Sequence, residues 1–336
     1  MRNTTRTLYN ALLAQIAQIN EVQDATVKFS VAPTVQQRLE TRMQESSEFL
    51  KRINIVGVTE QKGQKLGLGI GSPIASTTNT AAQDRSPVDP TQLDGTSYDC
   101  TQTNSDTYIP YAKLDAWAKF PDFQTRVRDA IVRRQALDRI MIGFNGTSRA
   151  ATSDRTANPL LQDVNKGWLQ HYREQAPERV MADGATAGVI KVGGASADYA
   201  NLDALVMDAV ANLIDPWYRQ DTQLVAILGA NLLHDKYFPL VNSNQAPSEQ
   251  LAGDLIISQK RVGGRPALQV PFVPDDAILI TRLDNLSIYW QEGARRRAII
   301  DNPKRDRIEN YESSNDAYVV EDFGAGCLIE NIQIQP

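Results

Sequence analysis

The stretch from Asn54 to Ile109 constrains this chain more than any other part of its 336 residues. It opens on a short β-like piece, Ile53-Asn-Ile-Val-Gly-Val, and passes through Gly63, Gly67, Gly69 and Gly71. From Ser72 to Thr91 it turns polar, with Ser86-Pro87, Asp89-Pro90 and Asp94-Gly95 as turn signals. A segment this long, with no helical period and little apolar content in its middle, has no core of its own. It reads as a long β-hairpin arm leaving the body. Alone, such an arm keeps its strand edges and backbone groups wet, so it makes sense where neighbouring subunits cover it.

The rest of the chain supplies the body. Leu8, Leu12, Ile16 and Ile19 recur at helical spacing, predicting a short amphipathic helix over 7–20. After Pro33, with Thr34 as its cap, a second helical face runs through Val35, Leu39, Met43, Ser46, Leu50 and Ile53. Pro121-Asp122 opens the most regular helix, which Asn145-Gly146 stops; its row of Arg126, Arg128, Arg133, Arg134 and Arg139 reads as a solvated face with ion pairs. A further helix is expected over Leu160–Gln175, then a turn-rich hairpin over Ala182–Ser196 that marks a subdomain boundary. From Asn201 an α/β pattern begins: a helix ending at Asp215-Pro216, the apolar run Leu224–Leu228 as a buried strand, short strands to Trp290, and alternating closing strands from Tyr318.

Composition excludes several classes. No run approaches the roughly 18–20 apolar residues of a membrane span, and the first thirty residues lack a secretory pattern, so a soluble protein made in a cytoplasm is expected. Cys100 and Cys327 have no nearby partner and read as two buried free thiols. A net charge of −5 argues against a protein whose main task is gripping nucleic acid by its phosphates. Two histidines, His171 and His234, are few for an enzyme of this size, and each reads as a surface or cap residue. The cluster Gly63-Gln-Lys-Leu-Gly-Leu-Gly-Ile-Gly has the spacing of neither a P-loop nor a dinucleotide fingerprint, because Ser72-Pro73 follows it instead of a helix. Alternate glycines there suggest a strand lying flat on another surface. No catalytic, cofactor or metal constellation emerges.

Read end to end, the chain resembles the major capsid proteins of the peduovirus group of temperate contractile-tailed phages. The resemblance rests on collinear stretches over nearly the whole length. They include Met43-Gln-Glu-Ser-Ser-Glu-Phe-Leu-Lys-Arg-Ile-Asn-Ile-Val, Gly143-Phe-Asn-Gly, Gly167-Trp-Leu-Gln, Pro216-Trp-Tyr, Glu309-Asn-Tyr-Glu-Ser and Val320-Glu-Asp-Phe-Gly-Ala-Gly-Cys-Leu. It implies an α+β chain with the Hong Kong 97-type capsid fold. Residues 1–53 would form the N-terminal arm, with 1–29 a scaffold-binding segment or propeptide, and 54–109 the extended hairpin. Residues 110–197 would form a peripheral domain with spine helix 122–145, residues 198–315 an axial domain, and 316–336 strands returning to the peripheral domain.

By the same resemblance, the chain would self-assemble through hexamers and pentamers into the icosahedral head of a virion, in a bacterial cytoplasm. Its partners would be further copies of itself, an internal scaffolding protein that is also a protease, a portal protein, and packaged DNA held non-specifically, with no membrane, cofactor or metal involved. The N-terminal cut is carried over to Phe29-Ser30. Lys62, Lys65, Gly67, Gly69 and Gly71 are the expected inter-subunit contacts of the hairpin, without a covalent crosslink. Two other readings stay open at this point: an α/β enzyme with an unrecognised site, and a nucleic-acid binder using the Arg126–Arg139 helix.

Overall fold

The computed structural model describes residues 1–65, 75–87, 97–118, 120, 123–194, 196–234, 236 and 260–335. The chain begins with α1 (Asn3–Ile19), a two-residue strand β1 (Phe29–Ser30) and α2 (Pro33–Glu45). The N-cap of α2 is Ala32, with no side-chain cap bond and Pro33 in the first turn, so Thr34 is not the cap. The expected hairpin contributes β2 (Asn54–Val58), β3 (Lys62–Gln64), β4 (Ser97–Asp99), β5 (Thr101–Asn104) and β6 (Thr107–Pro110). Then follow α3 (Tyr111–Trp117), α4 (Phe123–Asn145) and α5 (Trp168–Gln175). The expected helix over 160–175 is confined to α5, because Leu161 has a left-handed backbone (φ 59°) and residues 160–164 form turns.

The second half adds β7 (Val180–Met181), β8 (Ile190–Val192), α6 (Leu202–Leu213), β9 (Val225–Leu228), β10 (Arg261–Val262) and β11 (Arg265–Gln269). After these come β12 (Ile278–Thr281), β13 (Leu286–Gln291), β14 (Arg296–Asn302), β15 (Arg307–Val320), β16 (Gly326–Ile329) and β17 (Ile332–Ile334). Asn201 caps α6 by accepting from the Ala204 amide.

Two sheets carry the architecture. The six-stranded one has the order β10-β11-β9-β12-β16-β7. Its central strands β9, β12 and β16 are buried throughout. Alternation explains this: Val225, Ile227, Leu279 and Leu328 face one core with Trp168, Leu169 and Tyr172. Ala226, Leu228, Ile278, Ile280, Cys327 and Ile329 face a second core with Leu205, Val206 and Ala209 of α6. With both faces covered, these strands read as continuous apolar runs.

The seven-stranded sheet is organised by the 14-residue β15. β13 and β14 run one after the other along one edge of it, with Leu286 opposite Val320 and Arg296 opposite Ser313. β5 and β6 line the other edge, with Thr101 opposite Asp316 and Tyr108 opposite Glu309. Outside β13 and β14 lie β2, parallel to β13, and β1, antiparallel to β14. Root strands of the hairpin and the N-terminal arm thus share a sheet with the chain's late strands.

The strands do not follow the expected division at 315. β13 and most of β15, expected in the axial domain, pair with root strands of the hairpin, and β14 pairs with β15 and with β1 of the arm. β16, expected to return to the peripheral domain, lies between β12 and β7, and β17 pairs with β8; β7 and β8 both belong to residues 110–197. All four residues of β16 are buried, which only a strand covered on both faces allows.

Candidate assembly surfaces

The hairpin leaves the body through β3 and β4, which pair antiparallel with Lys62 opposite Asp99 and Gln64 opposite Ser97. Among the expected contact residues, Lys62 points outward and forms an exposed ion pair with Asp99 at 2.8 Å. Lys65 behaves differently. It is only 7% exposed, and its Nζ donates to the Val320 carbonyl at 2.7 Å, tying the outgoing strand to β15. Gly67, Gly69 and Gly71 lie outside the described residues. On the return path, Tyr98 meets the ring of Tyr289 edge-on at 5.1 Å. Cys100 is fully buried behind it, and burial pushes its thiol up to about 12. Cys327 is buried too, and both thiols are free, as the sequence suggested.

The N-terminal arm is held at three points. α1 lays Tyr9, Leu13 and Ile16 against Ile299, Ile308 and Leu114, and Arg6 and Tyr111 both donate to the Asp301 carboxylate. The inward face is therefore turned from the predicted stripe: Leu8 and Ile19 point to solvent. Phe29 and Ser30 pair in β1 with Arg297 and Arg296, with Phe29 buried among Ala25 and Val31. α2 then packs against α4 around Met43 and Ile140.

Beneath α2 lies a feature that sequence reading missed. Arg139 of α4 donates to Glu40 at 3.1 Å and to Asp316 at 2.9 Å; Arg295 donates to Glu40 at 3.0 Å and also bonds Glu312 and Gln135. All six side chains are buried, so each charge has exchanged water for these partners. Burial alone would push the Glu312 carboxyl up, but Arg295 and Arg297 beside it hold it below its usual range. For Arg139, burial opposes the charge, and Asp316 and Glu40 outweigh it to raise its pKa. The network joins arm, spine helix and β15. The other arginines of the row fit the solvated reading, as in the surface pairs Arg134–Asp138 and Arg128–Asp129.

Among the described residues no group of three or more His, Cys, Asp and Glu side chains is placed to hold a metal, and no described helix is long and apolar enough to cross a membrane. His234 is exposed; His171, read as a surface residue, is half-buried on α5.

An α+β body with a spine helix, an N-terminal arm bolted beneath it and a strand pair leaving the sheet defines a subunit of the Hong Kong 97-type phage capsid fold. Within that class, residues 8–332 match the phage major capsid protein family of P2 type, and the chain belongs to that family. It is 55% identical to the capsid protein of Escherichia phage P2 over 342 aligned positions, covering 99% of this chain and 96% of that one. Its structure resembles a chain of the satellite phage P4 procapsid including the size determination protein, with a TM-score of 0.83, 54% identity and coverage of 100% and 99%. The capsid of an empty GTA particle, at 18% identity, shares the fold with a TM-score of 0.52 over 86% of this chain and 90% of that one. The chain is a self-associating structural protein of the virion shell.

Proposed function

We propose that the chain assembles through hexamers and pentamers into a closed icosahedral head around double-stranded DNA, in the host bacterial cytoplasm and without catalysing a reaction itself. The observation that carries this reading is the hairpin root: strands β3 and β4 leave the sheet at a segment whose composition has no core of its own. Laid across an adjacent subunit, the arm would exchange wet strand edges for contact, and head-to-tail contacts of this kind propagate until curvature closes the shell.

An internal scaffolding protein with protease activity would direct assembly, and a portal protein would join the shell. The outward Leu8 and Ile19 on α1 support residues 1–29 as the scaffold-binding segment, since an apolar stripe is left uncovered after α1 has docked. A cut at Phe29-Ser30 would have to peel β1 from β14 first, because that peptide bond lies within the strand pairing. The net charge of −5 suits a wall over which packaged DNA slides without sticking.

Replacing residues 66–96 by a short Gly/Ser linker tests the reading. The variant is expected to melt cooperatively near the parent temperature yet stay dispersed in electron micrographs. Closed shells from that variant would remove the hairpin from the assembly mechanism.

A further inference from the structure

A pocket of about 340 Å³ opens between the hairpin root and α5, within the size range of roughly 300–1,000 Å³ typical of small-ligand sites. Its wall is formed by Lys65 and Asp99 at the root, Arg149 and Lys166 from the segments between α4 and α5, His171 on α5, and the late residues of β15. Asp99 is the one carboxylate among the described lining residues, and Lys62 pairs with it from outside. Lys166 is paired with Glu174 at 2.7 Å.

Arg149 is held differently. Its Nη1 donates to the Val164 carbonyl at 2.8 Å and its Nη2 to the Gln102 carbonyl at 2.5 Å. Both acceptors are neutral, and among the described residues no carboxylate lies within ion-pair distance of this guanidinium. Among the described residues this exposed group thus has two backbone acceptors, no charged partner, and three of its five N–H donors without a protein acceptor. Lys65, nearly buried, adds a second positive charge to the same wall. Burial lowers the pKa of the His171 imidazole on the same wall; Lys166 and Lys65 push the same way, against Glu174 and the Tyr318 backbone.

We propose that this pocket binds an oxyanion, a phosphate or carboxylate group, with Arg149 as its principal donor and Lys65 and Lys166 supplying charge. A free anion and an acidic side chain from a neighbouring copy offer the same chemistry, and assembly separates them. Equilibrium dialysis of labelled inorganic phosphate against the full-length chain, at constant ionic strength in chloride, tests the site in both dispersed and assembled protein.

Dispersed chain is expected to bind phosphate saturably, one per chain. Arg149→Gln should weaken binding by at least about tenfold, the loss of a charge-assisted hydrogen bond. Lys166→Gln should weaken it less, and Arg38→Gln, which removes an exposed charge from α2, should leave it unchanged. Shells that still bind phosphate identify a free anion as the ligand. Shells that have lost binding identify a neighbour's carboxylate as the occupant. Absence of saturable binding to dispersed chain, or equal binding by Arg149→Gln and the parent, overturns the proposal. The dispersed-chain result does not depend on the assembly reading, so the two can fail separately.

Discussion

Arg139 shows what a single position decides in this molecule. A buried guanidinium shared by Glu40 and Asp316 fixes the distance between arm helix, spine helix and long strand. Replacing it by leucine leaves the buried Asp316 carboxylate without a counter-charge and Glu40 with Arg295 alone, so Arg139→Leu is expected to cost about 3–5 kcal/mol. Urea unfolding checks this as a lower midpoint at unchanged slope. Gly143 is a second such position, because a Cβ there would lie 2.2 Å from the Trp168 ring. Gly143→Ala must displace that indole from a packed core and is expected to lower stability by about 1–3 kcal/mol, read from the same titration. Neither role was legible in the sequence. Arg139 stands in a row of arginines whose other members are solvated, and its partners lie 99 and 177 positions away. Gly143 stood out only as the start of the Gly143-Phe-Asn-Gly stretch, with nothing local to announce the ring packed on it.

Elements were legible where one physical demand dominates. The apolar run Leu224–Leu228 announced β9 as a buried strand, and the Asn145-Gly146 stop placed the end of α4. The rotation of α1 was not legible. Its sequence offers apolar residues on two sides, and the Arg6–Asp301–Tyr111 contacts choose the one that docks. Nor was the span of β15, which crosses the expected boundary at 315 because β13 pairs with it through Val320. That strand has a pH signature. In the folded chain the Glu312 carboxyl lies below its ordinary value of 4.5, so the unfolded chain takes up the proton first. Its contribution is therefore complete above about 4.5 and is lost as pH falls from there toward the folded value. Glu312→Gln should flatten the acid limb of a melting temperature–pH curve. An acid limb identical to the parent's would place the sensitivity in other carboxylates.

At the scale of the whole molecule, two cores share one six-stranded sheet, the arm is locked beneath the spine by buried charge, and the hairpin root projects from the second sheet. This division of labour suits a shell subunit: a body stiff enough to hold its shape, with arms whose burial waits for neighbours. The class of protein was legible because the hairpin's composition is incompatible with an isolated fold and because collinear motifs ran the length of the chain. The pairing partners of the late strands were not, since they depend on pairings between residues more than a hundred positions apart, such as Leu328 with Val180 in one sheet and Thr101 with Asp316 in the other. Electron microscopy of the purified chain, expressed with and without its candidate scaffolding protein, tests the central claim most directly. Closed shells of uniform diameter, at least when the scaffold is present, are the predicted result. A dispersed monomer or small oligomer under both conditions would contradict it.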